Sequence, residues 1–323
     1  MSVAIAFGGE EPTFRAESRM LQVEVLVRDA RRQAMVEGLA AEDFELRVDG
    51  RRRSPVYVRR AGERRRPLAI LVYLNLAREG GLRTMGTHAA REAFSTALGR
   101  LEAEDEVAVY AADDWFEGRA REVVGLTRDR ETAARALAEA AEAASGAGRR
   151  RPGGGDGGLM TQAVEAARRV ARERPGSLVT LLSISDSINT LDTLARPAER
   201  ELAERVAEEA NLSVSAIHLP MVREYAAAAA VLNPLGAVLG YSLTGAAARM
   251  AEGSGGVVLK VEEAGGLAGA FDQLMQAYAG RYVLEVRLAE DELRDGRLHR
   301  VEVGVKGYSR KDVHYRRRVF AAR

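Results

Sequence analysis

Cysteine is absent from the 323 residues, which excludes disulfides, thiolate metal sites and a cysteine nucleophile. It leaves the compartment open, because a chain this long can bury a core without covalent staples. Histidine is scarce, with only His88, His218, His299 and His314. Aromatic residues make up 5%, too few to build an evident stacking platform for single-stranded nucleic acid. Neither charge sign dominates: 48 basic and 47 acidic side chains cancel to +1, so no global field draws the chain to nucleic acid or anionic lipid. Arginine runs recur at Arg51 to Arg53, Arg59-Arg60, Arg64 to Arg66, Arg149 to Arg151 and Arg316 to Arg318. Phosphate binding would need them gathered on one face; they read instead as solvated surface or as contacts for an acidic protein.

The enzymatic signatures are missing as well. No Gly-x-Ser-x-Gly elbow occurs, and the glycine-rich Gly153 to Gly158 lacks the Lys-Ser/Thr ending of a phosphate loop. Ser183, Ser185, Asp186 and Ser187 with His218 are what remains of a hydrolase reading, and the expectation is no catalysis. At the N-terminus, Ala4-Ile5-Ala6 has the form of a signal-peptidase site without a basic or full apolar segment before it. That leaves two readings, a truncated export signal or an ordinary terminus.

What is present is a strongly patterned chain. Leu68 to Leu74, within PLAILVYLNLAREGG, is a continuous apolar run that ends in Asn75, Ala77 and Gly80-Gly81, as a buried parallel strand feeding a loop does. From there to Gln276 strand-like and helical runs alternate, which predicts a doubly wound, mostly parallel sheet with one antiparallel edge hairpin and this strand at its centre. Strands are expected at 106–110, 123–126, 178–184, 213–219 and 255–259. Helices are expected at 87–101, 130–144, 159–173, 198–210, 246–251 and 267–279, with a loop from Gly146 to Gly158.

The ends of the chain alternate with period two instead. Leu21 to Val27, Phe44 to Val48 with the Asp49-Gly50 turn, a return strand at Val56 to Val58, Arg281 to Leu288, His299 to Val305 and Val313 to Phe320 read as half-buried strands. Neither end is self-sufficient, so a small β-sandwich-like unit assembled from both is expected. The predicted organisation is 13–62 as N-terminal β segment, 67–279 as α/β domain and 280–323 as the C-terminal strands that complete the β unit.

This order, with the stretches VEVLVRDARRQAMVEGLAAEDFELRVDGR, DEVAVYAADD, VVGLTRDRETAARAL, AEGSGG, YVLEVRL and RLHRVEVGVKG, resembles a von Willebrand factor type A protein of the subgroup common in acidobacteria. The resemblance implies a divalent-cation site at the carboxyl ends of the strands, whose first loop reads Asp-x-Ser-x-Ser. Here the matching positions are Asn75, Ala77 and Glu79. The second loop has Gly157 or Gly158 with Asp156 and Thr161 nearby, and the third has Ile184-Ser185-Asp186. Hard cations want charged oxygen ligands, and no loop keeps its set. The expectation is a degenerate site without cofactor, with Asn75, Glu79, Asp156 and Asp186 as weak candidates should Mg2+ or Mn2+ bind. The resemblance also favours an exported location.

One uncharged segment stands out, Tyr225 to Gly245. Asn233-Pro234 interrupts it, and it sits between a strand and a helix of the predicted sheet, so a membrane span is not expected. It reads as a helical hairpin that either packs on the domain or docks a protein partner or another copy. Its candidate contact residues are Tyr225, Val231, Leu232, Leu235, Val238, Leu239 and Tyr241, joined by the lone Trp115. The predicted function is a non-catalytic interaction or assembly module, with cation-dependent ligand binding as the alternative.

Overall fold

The computed structural model describes residues 20–29, 34–60, 66–76, 84–114, 119–146, 156–185, 197–219, 245–261, 263, 265–289, 292 and 297–320. A six-stranded sheet forms the larger part. Its strands are β6 (Leu68–Asn75), β7 (Glu106–Asp114), β8 (Arg119–Thr127), β9 (Leu178–Ser185), β10 (Ser213–His218) and β11 (Val258–Lys260), in the order β11-β10-β9-β6-β7-β8. All neighbours are parallel except β7 and β8, so the expected edge hairpin is present and β6 is central. Every residue of β6 is buried, because helices cover both faces of the sheet.

Side chains alternate between two apolar layers. Ile70, Val72, Leu182 and Ile217 meet helices α1 (His88–Leu98), α2 (Arg130–Gly146) and, later in the chain, α6 (Gly266–Ala279). Leu71, Tyr73, Leu181 and Val214 meet α3 (Asp156–Glu173), α4 (Pro197–Glu209) and α5 (Gly245–Ser254). Phe94 of α1 packs on Phe271 of α6 with ring centroids 5.2 Å apart, tying the first crossover helix to the last. Local chemistry sets the ends: Thr87 Oγ1 accepts the Ala90 N–H at 3.1 Å to cap α1, and Asp129 accepts the N–H groups of Glu131 and Thr132 ahead of α2. The fully buried Asp105 accepts from the N–H of Leu68 and of Glu102, both at 2.8 Å, fixing where β6 starts.

The chain ends form two further sheets. β1 (Met20–Asp29) lies between β14 (Val313–Tyr315) and β12 (Tyr282–Arg287), β12 also pairs with β5 (Tyr57–Arg60), and β2 (Ala34–Met35) pairs with β1. The second sheet runs β15 (Arg318–Phe320), β13 (Leu298–Val305), β3 (Phe44–Val48), β4 (Arg51–Arg53). Their facing residues, among them Val23, Leu46, Leu284 and Val303, make a separate apolar core. Each buried aliphatic side chain there contributes roughly 1.5–3 kcal/mol.

Several expected details change. The return strand after Asp49-Gly50 is β4, not Val56 to Val58, of which Tyr57 and Val58 begin β5 in the other sheet. β12 and β13, consecutive in the chain, lie in separate sheets. The single strand expected at Val313 to Phe320 is two, because Arg316 and Arg317 break it: Arg316 bridges Ser254, and the Arg317 N–H donates to the Gly253 carbonyl at 3.0 Å. β8 is longer than expected, and α3 begins at Asp156, so Asp156, Gly157 and Gly158 are helical rather than loop. The 255–259 strand shrinks to β11, since Gly255 has φ +75° and cannot join a ladder.

The β sheets pack against the amino ends of the parallel strands. Arg281, just ahead of β12, donates to Ser213 Oγ at the start of β10 at 3.0 Å, Arg318 pairs with Glu208 at the end of α4 at 3.4 Å, and Arg28 of β1 donates to Gln273 of α6 at 2.8 Å. The chain also enters β6 and leaves α6 on this side. The carboxyl edge of the six-stranded sheet is therefore the one turned away from the β sheets.

Candidate functional site

In an open α/β sheet the crevice lies outside the carboxyl ends of the strands, where the connections change direction. Here that point falls between β6 and β9, and their last residues, Asn75 and Ser185, are register partners. The row continues across the sheet, with Ser185 opposite His218 and His218 opposite Lys260. Alternation from Tyr73, Leu181 and Ala216 turns Asn75, Ser183, Ser185, His218 and Lys260 to the face carrying α3, α4 and α5. Helix α3 starts at this edge: its Gln162 Oε1 accepts the Ala120 N–H at the start of β8 at 2.5 Å.

Asn75 is fully buried, Ser183 and Ser185 are nearly so, His218 is half-buried and Lys260 is exposed. Burial, reinforced by Lys260, holds the His218 imidazolium below its ordinary 6.5, and its Nε2 has no hydrogen-bond partner among the described residues. The group is therefore neutral at physiological pH. The unfolded chain takes up a proton near pH 6.5 while the folded chain resists it, so stability falls as pH drops below 6.5. His314, half-buried near Arg281 and Arg28, is depressed in the same direction and adds to the same decline. His218→Gln is expected to flatten part of the fall in Tm between pH 6.5 and about pH 5. An unchanged Tm profile would remove His218 from it.

The predicted residues divide into those the structure places and those it does not describe. Asn75 ends β6, Asp156 is the first residue of α3 and Thr161 lies in its second turn. Glu79, Asp186, Trp115 and the segment holding Tyr225, Val231, Leu232, Leu235, Val238, Leu239 and Tyr241 lie outside the described residues. Among the described residues no hydrogen bond joins His218 Nε2 to Ser183 or Ser185. Sequence reasoning misses Lys260; the signal is the period-two spacing from Val258, which puts it beside His218 once β11 is known to be the edge strand.

A hard dication is not matched by the described donors. Asn75 and Ser185 offer neutral oxygens and His218 is flanked by a cation. Among the described residues no three His, Asp or Glu side chains gather at one point. The class this geometry defines is a doubly wound α/β domain whose switch point carries the neutral Asn75 and Ser185, with His218 and the cationic Lys260 continuing the row. No family model matches the chain, and no curated protein matches it.

Solved structures similar to the chain include a von Willebrand factor type A protein from Catenulispora acidiphila, at 13% identity, covering 86% of this chain and 73% of that one, with TM-score 0.44. Manganese-loaded TRAP protein of Plasmodium vivax is similar at 9% identity, 82% and 84% coverage and TM-score 0.37. The pilus adhesin SpaC of Lactobacillus rhamnosus GG, in its open conformation, is similar at 10% identity, 73% and 34% coverage and TM-score 0.41.

Proposed function

We propose that the chain is a non-catalytic interaction module in which residues 67–279 present their carboxyl edge to a protein partner, or to further copies of the chain, while residues 13–62 and 280–323 form the mount. The observation that carries this reading is the placement of the β sheets at the amino edge, with Arg281 on Ser213 and Arg318 on Glu208. That mount leaves the carboxyl ends of β6, β9, β10 and β11 on the side away from the β sheets, where the row runs from the buried Asn75 and Ser185 through the half-buried His218 to the exposed Lys260. The uncharged 225–245 segment, which lies in the sequence between β10 and α5, is the contact surface this reading assigns to the partner. An exported location belongs to the same reading, and fractionation of source cells tests it.

The test is site-specific photo-crosslinking of the full chain in extracts of the source organism, with the crosslinker at Lys260 on the carboxyl edge or at Glu102 on the amino edge. Discrete protein adducts are expected from position 260 and not from 102. Equal patterns from both would sink the reading. The second reading, cation-dependent binding, draws on Glu79, Asp156 and Asp186, whose side chains are outside the described residues. Calorimetric titration with Mn2+ decides it: no stoichiometric uptake is expected, and uptake that Glu79→Ala abolishes would install the second reading in place of the first.

A further inference from the structure

Strand β13 is left half-paired on one side. β15 runs beside it only over Leu298 to Arg300, and the last bond on that side goes from the Val301 N–H to the Arg317 carbonyl at 2.8 Å. On the other side β13 pairs with β3 as far as Val305. There the Arg300 carbonyl accepts from the Asp49 N–H at 2.8 Å and the Lys306 N–H donates to the Asp43 carbonyl at 3.0 Å. Even-numbered residues of β13 thus point their backbone groups at β3, and by antiparallel alternation the odd-numbered ones point away. The N–H and C=O of Val303 and the N–H of Val305 face an edge with no strand against it among the described residues. The Val305 carbonyl is used locally, accepting from Tyr308 N–H at 3.2 Å. Such a row of unpaired backbone groups is a template for another strand.

The edge opens onto a groove of about 450 Å³. Its floor is apolar, with Val303 and Val305 of β13 facing Val313 and Tyr315 of β14. Its rim is basic: Arg47, Arg52, Lys306 and Arg310 stand against Glu45 and Glu302, and Glu302 is already engaged by Arg300 at 3.0 Å. None of the four rim cations makes an ion pair among the described residues.

We propose that this edge docks an extended segment of a partner protein, of about five residues, which adds as a strand beside Val303 and Val305 and alternates apolar with acidic side chains. Alternation sends one set of its side chains into the apolar floor and the other to the basic rim, so both features are used by one ligand. A second copy of this chain fits poorly. The edges it could offer include β4 with Arg51 to Arg53, β5 with Arg59-Arg60, β8 with Arg119 and Arg121, β11 with Lys260 and the free half of β13 with its own basic rim, and each would bring like charges together. The surface is separate from the carboxyl edge, so this proposal stands or falls independently of the function proposed above.

The experiment pans a random dodecapeptide display library on the full chain. Enriched peptides are then measured against the full chain and against a Lys306→Glu, Arg310→Glu version, both positions being exposed. Enriched peptides are expected to alternate apolar and acidic residues, to slow hydrogen exchange at the Val303 and Val305 amides, and to bind the charge-reversed protein about tenfold or more weakly. Four outcomes overturn the proposal. One is no enrichment, as for an edge merely guarded by cations. The second is binding that leaves both amides unprotected, and the third is full affinity for the charge-reversed protein. The fourth is protection of both amides without peptide: concentration-dependent protection means a homodimer, and concentration-independent protection means an edge closed within the chain.

Discussion

Gly256→Ala is expected to destabilise the protein by about 3 kcal/mol or more, the upper end of what overpacking a closed site costs. A β-carbon at this position would lie 1.6 Å from the Val214 carbonyl oxygen and 2.6 Å from its carbon, so backbone rather than a flexible side chain must move. The surroundings cannot give way, because they are held by hydrogen bonds on every side. The Gly256 N–H donates to Ala251 at 2.9 Å, the Val214 N–H donates to Ser254 Oγ at 2.8 Å, and the Ala216 N–H donates to the Val257 carbonyl at 2.8 Å. Gly253→Ala, three residues earlier in helix α5 with nothing within 4 Å, is the matched control and should be neutral or stabilising by about 0.5–1 kcal/mol. Urea unfolding of the two variants measures the contrast. Equal midpoints would show that the α5-β10 crossing yields more readily than its bonds imply.

That crossing also shows what a sequence hides. Gly255-Gly256-Val257-Val258-Leu259 reads as one strand, yet the glycines serve a close approach of two backbones and only the last residues join the sheet. The central strand was legible because burial on both faces demands an unbroken apolar run, which Leu68 to Leu74 supplies. The β strands were legible as strands because period two marks a buried face. Period two does not name the neighbour, so β4 and β5, β12 and β13, and β14 and β15 could not be assigned to their separate sheets from pattern. At the candidate site Asn75 and Ser185 were visible as loop positions, but their meeting in register depends on strand order. The start of α3 was misplaced because Gly157-Gly158 reads as a breaker while the helix runs through it.

Glu24→Gln is expected to cost about 3 kcal/mol or more, and Arg281→Met roughly half as much, an order opposite to what the two side chains' burial alone would give. Arg281 is the more buried partner, with 6% of its side chain exposed against 17% for Glu24. Its Nη1 donates to Glu24 Oε2 at 3.2 Å and its Nη2 to Ser213 Oγ at 3.0 Å, and the guanidinium carbon lies 6.0 Å from the Tyr278 ring centroid. Glu24, however, also serves a second cation. Among the described residues the buried Nε of Arg316 has no hydrogen-bond partner; burial pulls its guanidinium below the ordinary range, Glu24 pulls it back up, and Arg281 pushes it down again. Removing Arg281 leaves the carboxylate with the attraction of Arg316 and relieves a repulsion, whereas removing the carboxylate leaves two mutually repelling guanidinium groups at the joint between β1 and the six-stranded sheet. Chemical denaturation of Glu24→Gln, Arg281→Met and the double variant tests this ordering, and the double should lie closer to wild type than the sum of the two. If Arg281→Met proves as costly as Glu24→Gln, the joint is a simple ion pair and Arg316 is a bystander; if Glu24→Gln alone is worse, one acid holds both cations and with them the mount of the α/β domain.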